Sequence, residues 1–227
     1  MEDRLRALWD FSDLDGTEAR LRPLLDNQAT DDERAEVLTQ LARVEGLRDN
    51  FAAGHALVDE AETLVSPEST GRVRALLERG RLYRSGGDPE AAQPLFVAAF
   101  VLAKKNGDLW FAADAAHMVA LVDDPEKWTQ VGLDLIEKHP ELAHWLGPLH
   151  HNVGWFYVEN ERYEDALAAF ERTPAPAPYA VYGKAKTLHL LGREAEAAQA
   201  ARDALELLPD GANEEIITEL KSIASEA

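Results

Sequence analysis

Two histidines, His117 and His151, are the side chains best suited to chemistry, and the carboxylates Asp114 and Glu159 occur in the same two regions. Imidazole and carboxylate groups can ligate metal ions or act as general acids and bases. No HExxH or comparable local ligand pair accompanies them. We therefore predict no catalytic residue, no metal and no cofactor. A small-molecule-binding or catalytic protein that uses His117, His151 and Trp155 is the alternative.

Other common kinds of active site lack their signals. The sequence contains no GxxxxGK[ST], no GxGxxG after a strand and no serine nucleophile elbow. It also contains no cysteine, so disulfides, thiolate metal sites and a cysteine nucleophile are excluded. Nucleotide chemistry and acyl transfer are therefore disfavoured.

The charge limits the classes of partner. There are 42 Asp and Glu against 23 Lys and Arg, which gives a formal net charge of -19. Such a charge repels nucleic-acid phosphates and anionic membrane surfaces, so we predict neither as a partner. The charged first residues lack the apolar run of a signal peptide, and no stretch approaches the roughly 18 apolar residues of a membrane span. The predicted location is cytoplasmic.

The elements that must position these residues are helices. Apolar residues at helical spacing recur in short segments bounded by Gly, Pro and Asp, whereas alternating strand patterns are rare. Helices this short cannot each bury an apolar face alone, so an internal repeat is expected. Three stretches share a pattern of small residues spaced between larger apolar or aromatic ones. They contain Gly80, Tyr83, Ala92 and Phe96; Gly154, Tyr157, Tyr163, Ala166 and Phe170; and Leu188, Gly192, Ala197, Ala204 and Pro209.

In this pattern the chain resembles the tetratricopeptide repeat family, as found in bacterial repeat proteins. The resemblance implies an all-α, right-handed α-solenoid of about five helix pairs in one domain, 1–227. The implied parts are a degenerate N-terminal helix pair at 1–34, repeats at 35–68, 73–106, 113–146, 147–177 and 178–211, and a C-terminal capping helix at 213–226 with Asn213 as its N-cap. Extra residues at 66–70 and 106–111 are predicted to be loops.

Two motif positions explain how the helices of a pair would pack. In the five predicted repeats these two positions hold only Gly or Ala, which permits the two helices to approach closely. The first position holds Ala42, Gly80, Ala120, Gly154 and Ala185, and the second holds Gly54, Ala92, Gly132, Ala166 and Ala197. A third position supplies the filling side chain, namely Val58, Phe96, Ile136, Phe170 and Ala201.

The resemblance also implies a concave groove lined by the first helix of each pair, with His117 and His151 on neighbouring helices. The candidate ligand-binding residues are Arg43, Arg74, Arg81, Arg84, Asp114, His117, His151, Asn152, Trp155, Glu159, Tyr182 and Lys186. Trp128, in contrast, is expected to pack in the core, and His150 cannot share the helical face of its neighbour.

Arginine recognises carboxylates and aromatic rings provide contact area, so the predicted partner is a protein or peptide segment with acidic and apolar residues. The predicted function is that of an adaptor, and self-association into a homo-oligomer is compatible with it. The alternative for the arginines is that Arg74, Arg81 and Arg84 only form ion pairs along a solvated face with the nearby carboxylates Glu36, Glu78 or Asp114.

Overall fold

The computed structural model describes residues 3–27, 30–174, 177–209 and 211–225. The regular structure in these ranges is helical and includes no β-strand, which confirms the predicted all-α class. The chain divides into two compact units, residues 1–123 (unit 1) and 124–227 (unit 2). The predicted cap, repeats and capping helix include some residues outside the described ranges, namely Met1, Glu2, Gln28, Ala29, Ala175, Pro176, Asp210 and Glu226.

Unit 1 begins with a single 3-10 turn, Arg6–Leu8, where the first member of the degenerate helix pair was expected. A second 3-10 helix, Arg22–Asp26, follows the first α-helix. The α-helices described in this unit are α1 (Leu14–Leu21), α2 (Asp31–Leu47), α3 (Phe51–Leu64), α4 (Thr70–Ser85), α5 (Pro89–Asn106) and α6 (Leu109–Val119). Each of α2 to α5 packs on the next helix, and α4 also contacts both α2 and α6.

The starts of these helices follow from their sequences. Thr30 accepts a hydrogen bond from the Glu33 amide, and the Glu33 side chain accepts one from the Thr30 amide, a capping box that opens α2. Asp88 caps α5, and proline follows it at the first helical position, where no amide donor is needed. Short polar side chains therefore fix where the long helices begin.

The predicted loop at 106–111 is wrong over its second half. Gly107 ends α5 in the left-handed conformation with φ 75°, and α6 already begins at Leu109. Trp110 and Phe111 are buried in this helix, with 7% and 8% of their surface exposed. Burial of two aromatic side chains favours the helix over the loop that the Asn-Gly-Asp sequence suggested.

Unit 2 consists of a further series of packed helices. The α-helices described there are α7 (Pro125–Lys138), α8 (Leu146–Glu159), α9 (Tyr163–Glu171), α10 (Pro178–Leu190), α11 (Glu194–Leu207) and α12 (Glu214–Ser225). A 3-10 helix, Pro140–Trp145, precedes α8. Asn213 accepts a hydrogen bond from the Glu215 amide at 2.7 Å, so the final helix starts with the expected cap. The boundary between the units falls inside the predicted repeat 113–146, whose limits remain a prediction.

The small residues do allow the helices to approach closely. A Cβ atom added to Gly80 would lie 2.4 Å from the Phe96 ring, and one added to Gly154 would lie 2.7 Å from the Phe170 ring. Phe96 and Phe170 are themselves buried, which confirms their predicted role as filling side chains. Trp128 is also buried, as expected for a core residue.

Candidate ligand-binding groove

In unit 1 the helices α2, α4 and α6 bring three of the predicted residues into one charged network. Arg81 of α4 places Nη2 at 2.5 Å and 2.7 Å from the two carboxylate oxygens of Asp114 in α6. Its Nη1 donates to Glu78 Oε1 at 2.5 Å, and Arg43 Nη1 of α2 lies 3.7 Å from the same oxygen. Two cations and two anions therefore balance one another across three helices.

Burial and ion pairing shift the pKa values of these groups in opposite directions. Burial opposes ionisation of Asp114, yet the Arg81 and Arg43 guanidinium groups hold the pKa of this carboxyl below its usual value. Burial likewise disfavours the charge on Arg81, but Asp114 and Glu78 outweigh it and raise the pKa of Arg81. Burial lowers the pKa of Arg43, and the neighbouring Arg81 adds to that effect. Their pairing thus favours the charged forms of Asp114 and Arg81.

Arg74 of α4 lies apart from this network and is held by different groups. Only 3% of its side chain is exposed, and its Nε lies 3.0 Å from Glu36 Oε2. Its guanidinium also donates to the Asp3 carboxylate and stacks over the Phe111 ring at 4.5 Å from the centroid. Arg74, like Arg81, therefore forms ion pairs within the chain.

Arg84 differs from the other arginines. It is exposed, and no carboxylate in the described parts of the chain lies within ion-pair distance of it. It lines a pocket of about 230 Å³ whose apolar wall includes Leu82, Met118 and Leu121 and whose polar side includes Arg43. An uncompensated guanidinium beside an apolar pocket suits a ligand that carries both a carboxylate and an apolar group.

His117 lines the same pocket but is poorly suited to proton transfer. Burial lowers the pKa of His117 to about 4, and the nearby Arg81 works in the same direction, whereas Asp114 opposes the shift. A general base works best with a pKa near the operating pH. At neutral pH His117 is therefore an uncharged group that can exchange hydrogen bonds with a ligand.

In unit 2 the predicted residues of α8 form an aromatic cluster. The Trp155 ring lies 5.6 Å from the Phe170 ring and 5.4 Å from the Tyr182 ring, measured between centroids. His151 packs edge-on against Trp155 at 6.2 Å, and burial lowers the pKa of His151. Trp155 is only half-buried, so one side of the cluster remains accessible.

Two predicted residues of α10 already have partners within the chain. The Tyr182 hydroxyl donates to Glu219 Oε2 of α12 at 2.5 Å, and Lys186 Nζ lies 2.9 Å from the other oxygen of this carboxylate. Tyr182 belongs to the buried core that α12 completes. The capping helix thus lies on part of the face that was assigned to the groove.

The remaining predicted residues of α8 differ in exposure. Glu159 is exposed at the end of the helix. Asn152 has a buried Nδ2 that finds no hydrogen-bond acceptor among the described residues. His150 is buried beside Thr129 and Tyr157, on a different face from His151, as predicted.

Sequence reasoning missed the contacts that residues 3–11 make with the unit 1 face. Asp3 pairs with Arg74, and Trp9 Nε1 donates to Gln40 Oε1 at 2.9 Å. Arg6 lies over the Trp110 ring at 5.1 Å. The partners are far apart in sequence, so no local pattern reveals them. Two aromatic residues within a charged segment, WDF at 9–11, were the only signal.

Two absences apply to the described part of the chain. No group of three or more His, Cys, Asp or Glu side chains within it is arranged to hold a metal ion. None of its helices has both the length and the apolar character that a membrane crossing requires.

Comparison with known proteins identifies the fold and not a family. No protein-family model matches the sequence, and no curated protein matches it either. Among solved structures, the Rap protein complexed with Competence and Sporulation Factor superposes with a TM-score of 0.63 at 15% identity, covering 97% of this chain and 72% of Rap. BtubC (BKLC) from P. vanneervenii superposes with a TM-score of 0.59 at 15% identity, covering 98% of this chain and 92% of BtubC.

At this level of identity a likeness shows the fold alone. Together with the helix order, it identifies an all-α solenoid of tetratricopeptide-like helical repeats, which confirms the predicted fold class. Residue roles do not transfer from either structure.

Proposed function

We propose that the protein is a non-catalytic adaptor that binds a protein or peptide segment on the unit 1 face formed by α2, α4 and α6. The observation that carries the proposal is Arg84, an arginine without a carboxylate partner in the described structure, beside an apolar pocket. In a chain with 42 acidic and 23 basic residues, a cation left uncompensated next to apolar side chains favours an acidic, apolar ligand.

Further features support binding in preference to chemistry. The ion pairs of Arg81 with Asp114 and of Arg43 with Glu78 link α2, α4 and α6 beside the pocket, which favours a site that is ordered before a ligand binds. Its histidine has a pKa of about 4, which is too low for a base at neutral pH. The similar Rap structure contains a bound factor, which supports a fold that accommodates a ligand.

We further infer that the chain is a bacterial-type tetratricopeptide array with the repeat limits given above, and that it acts in the cytoplasm. The proposed contacts in unit 2 are His151, Asn152, Trp155 and Glu159, which present an accessible aromatic edge and an exposed carboxylate. Tyr182 and Lys186 support this proposed surface indirectly, because both bind Glu219 of α12. A homo-oligomer remains compatible with this function.

The test identifies a partner and then measures its affinity. A photo-crosslinking amino acid at Ser85, which lines the pocket, is used to capture partners, and mass spectrometry maps the crosslinked segment. The synthetic segment is then titrated against wild type and Arg84→Gln. Loss of one charge-assisted contact should weaken binding about tenfold.

The matched control is Arg202→Gln, which removes an exposed arginine of unit 2 and should leave the affinity unchanged. Equal affinities of the wild type and Arg84→Gln for the mapped segment would refute the assignment of the pocket.

A further inference from the structure

Residues 3–11, here called the docking segment, lie on the proposed binding face of unit 1. Asp3 contacts Arg74 of α4, Trp9 donates to Gln40 of α2, and Arg6 lies over an aromatic ring of α6. The docking segment therefore contacts all three helices of the face. It also adjoins the pocket, since the Arg43 guanidinium lies 5.5 Å from the Trp9 ring centroid and itself lines the pocket.

Side chains, and not backbone pairing, hold the docking segment in place. Its backbone-to-backbone bonds are local, such as Leu8 N to Leu5 O at 3.1 Å and Trp9 N to Arg6 O at 3.0 Å. Side chains of α1 also bind its backbone, since Arg20 Nε donates to Leu8 O at 2.8 Å and Thr17 Oγ1 donates to Asp10 O at 3.0 Å. Among the described backbone hydrogen bonds, none joins residues 3–11 to α2, α4 or α6. Within 3–13 only Leu5 is buried. Release of the segment therefore exposes Leu5 and breaks side-chain contacts, but it breaks no backbone-to-backbone hydrogen bond to α2, α4 or α6.

Arg74 determines what can replace the docking segment. Its side chain is 3% exposed and has two carboxylate partners, Glu36 from α2 and Asp3 from the docking segment. Departure of the segment removes one of these negative charges from a buried guanidinium, which is unfavourable unless another carboxylate arrives. A replacing ligand is therefore expected to bring an acidic residue to Arg74.

Leu5 and Trp9, the other contact residues of the docking segment, define the spacing expected in such a ligand. Leu5, two residues after Asp3, inserts into an apolar cluster with Leu21, Val37 and Leu41. Trp9, four residues further along, combines a hydrogen bond to Gln40 with the cation-π contact to Arg43 described above. A carboxylate, an aliphatic side chain and an aromatic side chain thus occupy three defined places.

We propose that the docking segment is a built-in ligand of unit 1 and that the protein partner displaces it with a segment of the same chemistry. The partner segment carries a carboxylate, an aliphatic residue two positions later and an aromatic residue four positions after that. This inference rests on the proposed function, because it specifies the partner and the regulation of the same face. The competing interpretation is that the docking segment is a permanent structural part of unit 1 and does not dissociate from it.

The first experiment supplies the docking segment in trans. A fluorescently labelled peptide with the sequence of residues 3–13 is titrated against wild type and against Asp3→Asn/Leu5→Ala, and binding is followed by anisotropy. In wild type the tethered segment competes at an effective concentration in the millimolar range. The double variant should therefore bind the peptide at least tenfold more tightly. Equal affinities, or no binding to either protein, would overturn the proposal.

Two controls keep this result specific. A peptide with asparagine in place of Asp3 should bind the double variant about tenfold more weakly, because it brings no carboxylate to Arg74. Equal binding of the two peptides would contradict the role assigned to Arg74. Thermal melting by circular dichroism checks that the double variant is folded.

The second experiment does not depend on the stability of that variant. The chain contains no cysteine, so Arg4→Cys/Glu33→Cys can be joined selectively by a bismaleimide. The choice follows the hydrogen bond from Arg4 Nη2 to Glu33 O, at 3.1 Å. The bridged protein should bind the partner segment at least tenfold more weakly than the same variant treated with N-ethylmaleimide.

The outcomes separate the inference from the function on which it rests. If the partner binds the bridged and unbridged proteins equally, the docking segment does not compete, and the proposed function stands without it. If no partner is found at the unit 1 pocket, the proposed function fails, while the peptide titration still decides whether the docking segment exchanges.

Discussion

At the residue scale, the charged side chains of unit 1 show which contacts a sequence can reveal. Arg74 with Glu36 was foreseeable because both occupy the same motif position in neighbouring predicted repeats, and Arg81 with Glu78 because they lie three residues apart on one helix. The pair of Arg81 and Asp114 joins the first helices of the next two predicted repeats. The contact between Arg74 and Asp3 was not, because 71 residues separate the two. Periodicity encodes neighbouring helices, whereas it carries no information about where an irregular segment lies.

Asp114 should contribute strongly to stability because it neutralises a mostly buried arginine. Asp114→Ala leaves Arg81 with one carboxylate in place of two, and we expect the free energy of unfolding to fall by about 3 kcal/mol. Urea denaturation measures this loss. Arg81→Met/Asp114→Leu should lose less than the sum of its single variants, because neither charge is left alone. Strict additivity would contradict a coupled pair.

His117 should make stability depend on pH. Its pKa is lowered from 6.5 to about 4 in the folded state, so between these values the unfolded state binds a proton that the folded state excludes. Stability therefore falls as the pH drops through this window. From pH 7.5 to pH 5, wild type should lose about 2 kcal/mol more than His117→Gln in urea denaturation. Equal losses would show that the folded protein does not suppress protonation of His117.

At the element scale, helix positions were predictable where caps and small residues set them. The Gly and Ala slots predicted the close helix pairs, and Asn213 predicted the start of α12. The sequence at 106–111 was misleading because turn residues and buried aromatics adjoin there. Burial of the aromatic side chains determined where α6 begins, which local propensity alone does not reveal.

The glycines of the helix pairs should not tolerate a methyl group. The Cβ of Gly80→Ala would meet the buried Phe96 ring at 2.4 Å, and we expect a loss of about 1–3 kcal/mol in the free energy of unfolding. The matched control is Gly147→Ala, whose Cβ would meet only Thr173 Cγ2 at 3.9 Å. That change should cost less than Gly80→Ala, because the methyl group meets no buried ring and only the restriction from the following Pro148 remains. Equal effects at both positions would rule out close packing as the reason for Gly80.

At the scale of the whole molecule, the repeat pattern was sufficient to predict an all-α solenoid, because each helix pair needs its neighbours to bury an apolar face. The pattern could not predict which faces the chain covers itself. The docking segment occupies part of the unit 1 face, and α12 engages Tyr182 and Lys186 in unit 2. Of the predicted unit 1 residues, Arg84 is the exposed one that forms no ion pair in the described structure.

The central claim is that a protein segment binds the unit 1 face and displaces the docking segment. Hydrogen-exchange mass spectrometry of the complete chain, with and without the partner segment mapped by crosslinking, tests both parts at once. We predict slower exchange at 78–85 and 114–121, which contribute pocket-lining residues, and faster exchange at 6–9, where the amides of Arg6, Leu8 and Trp9 donate within the docking segment. Protection confined to unit 2, with 6–9 unchanged, would contradict the account.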